Sequence, residues 1–267
     1  MTFNRAREFN MLTAQTKKGT AGEAARKFMP DGRARHFCGN TIISKVLPGS
    51  PLAAMLEAVR REFSAQRYAH CLKFLPQASY HMTVFEGVTE RSRVAGLWPA
   101  NLPLDASMAA CHRHMERALA GWNHACPLPL KMRPVELSAG RHPGAALKLA
   151  PFDLGEENKL RRLRDQLSDR LMIRTPDHDD YEFHISLGYL LKTMSDAELL
   201  AYATTRAVHL ARLTAACPVI ELGAPQFCTF NDMLTFNCRL TLDAPCSSTE
   251  SPIPDTVEPV GAQGSPR

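Results

Sequence analysis

One pattern, present twice, constrains this chain more than any other feature. Ser79-Tyr80-His81-Met82-Thr83-Val84-Phe85-Glu86-Gly87 and, far downstream, Glu182-Phe183-His184-Ile185-Ser186-Leu187-Gly188-Tyr189 each set a histidine two residues before a hydroxyl side chain. Both runs are rich in β-branched, aliphatic and aromatic residues and read as strands, in which residues i and i+2 point to the same face. His81 and Thr83 then share one face, with Met82 and Val84 on the other. His184 and Ser186 repeat the arrangement against Ile185 and Leu187. A strand that buries its aliphatic side has no packing reason to pair imidazole with hydroxyl on the opposite side. A single His-x-Thr is a short pattern that arises by chance and reads equally well as a half-buried histidine satisfied by its neighbour. Its repetition in matching strands points to one site built from two similar halves.

The rest of the chain supplies strands and helices around these two. Asn40 to Leu47 reads as a strand. Ser50-Pro51 starts a helix, with serine as N-cap and proline in the first turn, and Leu52, Met55, Leu56, Val59 and Phe63 give it a core face. Tyr68 to Leu75 reads as a strand joined to the first motif strand by Pro76-Gln77-Ala78. Asp105 caps a helix to about Leu119, on which His112 and His114 lie two apart and so on different faces. Leu128 to Ser138 and Ala145 to Phe152 pair around a turn at Gly140 to Gly144. Glu156 to Leu171 is a charged helix whose basic residues read as a solvated face. After the second motif strand, Ser195 with Glu198 has capping-box spacing at the head of a helix to about Leu213. Pro218 to Leu222 and the alternating Leu234 to Leu242 close the list of strands. Short strands mixed with helices, several at hairpin distance, predict an α+β class with antiparallel sheets flanked by helices around a cleft.

Residues 1 to 35 are polar and basic without a sustained period and are expected to form a mobile or loosely docked extension; residues 36–243 form the domain; 244–267, rich in Pro and Ser, are expected to be a disordered tail. The 267 residues, 45% hydrophobic and 22% charged, suit a globular protein with a substantial core. A formal charge of +5 is compatible with anionic substrates without demanding nucleic acid. No apolar run is long enough for a membrane helix. Met1 to Thr20 lacks the hydrophobic stretch of a secretory signal. Its basic character is compatible with a presequence, against which Glu8 and Glu23 speak. The eight cysteines show no Cys-x-x-Cys pair, and Cys71, Cys111 and Cys238 fall in apolar patterning, so reduced, buried thiols and a cytoplasmic location are expected.

Two histidines with a hydroxyl each suit acid–base chemistry at a phosphate. A neutral imidazole takes a proton from water or an alcohol, while an imidazolium protonates the leaving oxygen. Thr83 and Ser186 are short donors suited to non-bridging phosphate oxygens. The acids of Asp177 to Asp180 with His178 could bind a metal, though without a recognisable ligand spacing, and a metallohydrolase using His81, His184 and this loop is a further alternative.

With these residues in view, the chain resembles the 2H phosphoesterase superfamily, defined by paired His-x-Thr/Ser motifs. His81-Met82-Thr83-Val84 and His184-Ile185-Ser186-Leu187 match its two signatures. Phe74-Leu75-Pro76 to Phe85-Glu86-Gly87-Val88, Gly39-Asn40-Thr41 and Asn231-Asp232-Met233 resemble a branch known mainly as a domain of unknown function. The resemblance spans about residues 36 to 243. It implies a bilobal, pseudo-two-fold fold and a metal-independent phosphoesterase acting on a cyclic, 2′,3′-type, or terminal phosphoester of a nucleotide or RNA end. In that reading His81 and His184 are the catalytic acid and base, and Thr83 and Ser186 bind the phosphate. No cofactor, metal, membrane or obligate protein partner is called for, and a monomer is expected. The competing reading is a catalytically idle RNA- or nucleotide-binding module on the same scaffold.

Overall fold

The computed structural model describes residues 23–124, 126–138 and 144–242. The turn expected at Gly140 to Gly144 lies almost wholly outside them, as do the tail and residues 1–22. The α-helices among the described residues are α1 (Glu23–Lys27), α2 (Pro51–Ser64), α3 (Met108–Leu119), α4 (Leu154–Leu171) and α5 (Asp196–Ala216). The strands are β1 (Gly39–Lys45), β2 (Leu72–Phe74), β3 (His81–Phe85), β4 (Leu130–Ser138), β5 (Gly144–Pro151), β6 (His184–Leu190), β7 (Ile220–Leu222), β8 (Gln226–Phe230) and β9 (Asn237–Thr241). All join one curled sheet in the order β7-β4-β5-β6-β3-β1-β8-β9, with β2 also on β6. Each of these pairings is antiparallel, as the α+β reading requires.

The centre of the sheet explains how the motif strands meet. β6 pairs with β5 along one edge. Its other edge is shared: β2 takes the C-terminal half, with Phe74 opposite Gly188, and β3 takes the N-terminal half, with Met82 opposite Ile185. β2 and β3 thus run as one line interrupted by Leu75 to Tyr80. A short 3₁₀ turn at Gln77–Ser79 lies within that interruption. Gly188 is needed in this crowded pairing because a Cβ there would sit 2.9 Å from the Lys73 carbonyl oxygen.

Met82, Val84, Ile185 and Leu187 are buried together with Leu160, Leu163 and Leu167 of α4. That helix begins at Asp153, whose carboxylate accepts from the Glu156 amide at 2.9 Å, so its start lies a little ahead of the expected Glu156. Its leucines follow helical spacing, and each contributes about 1.5–3 kcal/mol on burial. α2 starts at Ser50-Pro51 as expected, and the Ser195–Glu198 capping box opens α5. α3 is capped by Ser107, which accepts from the Ala110 amide at 3.2 Å, and not by the expected Asp105.

Four further expectations need correction. The stretch from Tyr68 to Cys71 turns as a 3₁₀ segment, so the strand expected there shrinks to Leu72–Phe74. β8 was not legible: Gln226-Phe227-Cys228-Thr229-Phe230 is short and lies close to the expected final strand. β9, ending the sheet, leaves Cys238 exposed, where alternation predicted burial; an edge strand has packing on fewer sides. Arg164, expected on a solvated face, is fully buried under β3. Its guanidinium donates to the Val84 carbonyl at 2.7 Å and the His178 carbonyl at 3.3 Å.

The described part of the N-terminal stretch is packed. Ala24 and Phe28 of the segment around α1 are buried, and Phe28 lies 5.2 Å from the Tyr189 ring. No helix among the described residues is long and apolar enough to cross a membrane.

Candidate functional site

The face of the sheet opposite α4 carries a cavity of about 620 Å³, and His81, Thr83, His184 and Ser186 all line it. All four residues singled out in the sequence are therefore brought together. The Met82–Ile185 pairing determines how. Counting outward along an antiparallel ladder sets His81 opposite Ser186 and Thr83 opposite His184. The histidines occupy one diagonal of this rectangle and the hydroxyls the other. Diagonal neighbours on such a face have Cα atoms roughly 7–8 Å apart. A phosphate seated between the strands would have an imidazole on each side.

The two rings are held by the same local device. His81 Nδ1 lies 2.7 Å from the Ser79 carbonyl oxygen, and His184 Nδ1 lies 3.0 Å from that of Glu182. A carbonyl only accepts, so Nδ1 carries the hydrogen in each neutral ring and Nε2 is the basic nitrogen. In both motifs the acceptor sits two residues before the histidine. Burial pulls the His81 pKa down to about 4, against the Ser79 carbonyl, which favours the charged ring; His184, Lys45 and Lys27 add repulsion. His81 is neutral at pH 7. The Phe236 ring stands edge-on to it at 4.3 Å and closes one side.

The segments that resemble the family support this geometry. Asn40, fully buried, accepts the Val88 amide on its Oδ1 at 3.1 Å, and Thr41 donates its hydroxyl to the Phe85 carbonyl at 3.1 Å. Together they hold the exit of β3, where the chain turns at Gly87 with φ +66°. A Cβ on Gly87 would meet the Asn40 oxygens, so glycine is required by both conformation and space. Asp232 accepts the Leu234 amide at 2.8 Å, forming the turn that precedes Phe236. Met233 lines the cavity.

Several side chains at the site were not picked out from the sequence. Tyr181 lines the cavity alongside Thr83, and burial raises its own pKa. Beneath it, the Arg164 guanidinium lies 4.1 Å from the Tyr181 ring centre and 3.8 Å from Glu86 Oε2, with Glu86 itself at the cavity. Desolvation lowers the Arg164 pKa, yet the positive charge stays under the site because arginine starts so high. Lys27 Nζ approaches the Tyr189 hydroxyl at 3.3 Å. Phe37, Phe230 and Phe236 form an aromatic side of the cavity, with Phe37 and Phe230 stacked at 6.3 Å. None of these carries a local motif; each arrives from a separate element, and only folding collects them.

The acidic loop stands apart. Asp177, His178, Asp179 and Asp180 are not among the residues lining the cavity. His178 Nε2 lies 3.0 Å from Asp165 Oδ1, and Arg174 contacts Asp165 at 3.3 Å and Asp179 at 2.6 Å. That cluster already holds a guanidinium where a metal ion would sit, and it does not join His81 and His184.

Residues 27–141 match a protein family described as 2H-phosphodiest, domain of unknown function (DUF1868). The crystal structure of a conserved protein of unknown function, ATU0111, from Agrobacterium tumefaciens str. C58 is 30% identical, with a TM-score of 0.75. The similarity covers 81% of this chain and 90% of that one. No curated protein matches the chain.

Proposed function

The chain belongs to the 2H-phosphodiest family, and from that premise we propose that it is a metal-independent phosphoesterase that hydrolyses a cyclic, 2′,3′-type, or terminal phosphoester of a nucleotide or RNA end. One observation carries the reading: two histidines on neighbouring strands share a cavity face with two hydroxyls, and a backbone carbonyl tethers each ring through Nδ1. Mere binding of an anion needs charge and donors; it does not need two imidazoles with fixed tautomers.

In this mechanism His81, neutral at pH 7, is the base. Its Nε2 takes a proton from water as the water oxygen forms its bond to phosphorus. His184, as imidazolium, protonates the departing ester oxygen while the phosphorus–oxygen bond breaks. Thr83 and Ser186 donate to the non-bridging oxygens, where charge accumulates. Tyr181 borders the phosphate position beside Thr83, and Arg164 with Lys27 supplies positive potential. Attack and departure on opposite sides of the phosphorus match the diagonal placement of the rings. The similarity of the two motif halves, down to the carbonyl two residues upstream, also supports a pseudo-two-fold plan. A cavity of about 620 Å³ with an aromatic side suits a nucleobase beside the phosphate.

The test is turnover of 2′,3′-cyclic nucleotides and cyclic-phosphate RNA ends in excess chelator, with His81→Ala and His184→Ala. Activity should survive chelation and fall about 10²–10⁴-fold in either variant, the double variant being little worse. Tight nucleotide binding without turnover would instead favour the idle binding module, and turnover lost to chelator in a chain that stays folded, then restored by Zn²⁺ or Mn²⁺, the metallohydrolase.

A further inference from the structure

A second group of metal-binding side chains lies away from the cavity. His70 and Cys71 sit in the 3₁₀ turn that precedes β2, and Glu198 lies in the first turn of α5. The Cys71 sulfur is 3.5 Å from His70 Nε2, and His70 Nε2 is 3.6 Å from Glu198 Oε1. One ligand atom from each of the three falls within 4.8 Å of the others. A tetrahedral zinc with bonds of about 2.0–2.3 Å holds its ligand atoms about 3.4–3.6 Å apart along each edge. The Cys71–His70 and His70–Glu198 edges of this triangle have about that length.

Two of the three donors, His70 and Glu198, are also oriented by a partner of their own. His70 Nδ1 lies 2.9 Å from the Arg67 carbonyl, so that nitrogen carries the hydrogen and Nε2 presents its lone pair to the sulfur and the carboxylate. Such a carbonyl behind the ring is the usual second support of a metal-bound histidine. Glu198 Oε2 accepts from the Ser195 amide and hydroxyl, both at 2.7 Å, which leaves Oε1 turned toward His70. Cys71 is buried, its sulfur 3.9 Å from the Thr193 carbonyl. The His70 side chain is 60% exposed, so the site opens to solvent on that side, where a water can take a fourth position. The other candidate cluster, Asp165, His178 and Asp179, has no such vacancy because Arg174 bridges its two acids.

We propose that His70, Cys71 and Glu198 form a zinc site that ties the turn before β2 to the start of α5. Thiolate, imidazole and carboxylate together suit Zn²⁺ in preference to the hard cations Mg²⁺ and Ca²⁺, which take oxygen ligands. On binding, the thiol proton leaves to solvent and the sulfur–metal bond replaces it. The tie acts on the sheet centre, because the Cys71 carbonyl accepts the amides of Leu191 at 2.8 Å and Lys192 at 3.3 Å, just past β6. His70, Cys71 and Glu198 are not among the residues lining the cavity, so the site is structural and separate from phosphate chemistry.

The experiment uses the full chain, reduced and stripped with chelator, and titrates it with Co²⁺ as a spectroscopic stand-in for Zn²⁺. One equivalent should bring up a thiolate-to-cobalt charge-transfer band with tetrahedral visible bands, and Zn²⁺ should displace them. The band should vanish in Cys71→Ser. His70→Gln, at an exposed position that tolerates change, should fold normally and bind at least ~100-fold more weakly, since even second-support losses cost 10–100-fold. Zn²⁺ should raise the melting temperature of the parent chain and not that of His70→Gln. Absence of a thiolate band, its persistence in Cys71→Ser, or an equal Zn²⁺ shift in His70→Gln would each overturn the site and leave an ion pair beside a buried thiol.

Discussion

At the scale of single residues, His81 links stability to pH. Its folded pKa of about 4 lies below the ordinary 6.5, chiefly through burial. An unfolded chain therefore takes up a proton below pH 6.5 that the folded ring refuses until about pH 4. This group contributes stability above pH 6.5, and the contribution is lost as pH falls through that window. The loss has a ceiling of about 1.4 kcal/mol per pH unit, and a half-buried ring will show less. Urea midpoints at pH 7 and pH 5 should fall further for the parent chain than for His81→Gln. Equal falls would mean that the ring is solvated in the native state. At Thr83 the expected outcome separates orientation from nucleophilic attack. Thr83→Ser should keep most of the turnover, and Thr83→Val should lose roughly 10²-fold, the cost of one lost oxyanion donor. A phosphoryl group trapped on Thr83 or Ser186 by mass spectrometry would show nucleophilic attack instead.

At the scale of elements, the site depends on how β3 leaves the sheet. Gly87 sits at φ +66°, and its neighbour across the turn is Asn40, whose carbonyl and side-chain oxygens occupy the place of a Cβ. Gly87→Ala is expected to lower stability by about 1–3 kcal/mol through the backbone alone, with the clash adding to it. It should also raise KM, because Glu86 and the end of β3 border the cavity. Chemical denaturation checks the first effect and steady-state kinetics the second. An unchanged midpoint would mean that Asn40 moves aside and that the buried turn is softer than its hydrogen bonds indicate.

For the whole molecule, the segment before β1 belongs to both core and site. Phe28 packs at 5.2 Å on Tyr189, a residue of the strand that bears His184, while Arg26 and Lys27 line the cavity. Phe28→Ala should cost about 3–5 kcal/mol. Lys27→Ala should lower the melting temperature much less than Phe28→Ala and weaken substrate binding about tenfold or more, as expected for loss of a charge-assisted contact. A chain beginning at residue 36 should show both defects together. If it melts and turns over like the full chain, the contacts of α1 are dispensable and the extension expected from composition is the better description.

What the sequence determined by itself was local. Alternation put His81 with Thr83 and His184 with Ser186, and serine caps with proline or glutamate at the right spacing placed the heads of α2 and α5. These signals depend on neighbours within a few residues, so a string of letters carries them. Tertiary structure decided which strands met. The split edge of β6, shared by β2 and β3, sets the histidines on a diagonal, and no local pattern encodes a pairing between residues so far apart in the chain. The same is true of Arg164, whose place in a charged helix reads as solvent-facing until β3 packs over it and Val84 and His178 offer their carbonyls. Tyr181, Lys27 and Phe236 reach the cavity from three separate segments. Periodicity reports which face of an element is buried; the neighbours that face will meet are decided by packing between elements, where contact energies are summed over the whole core.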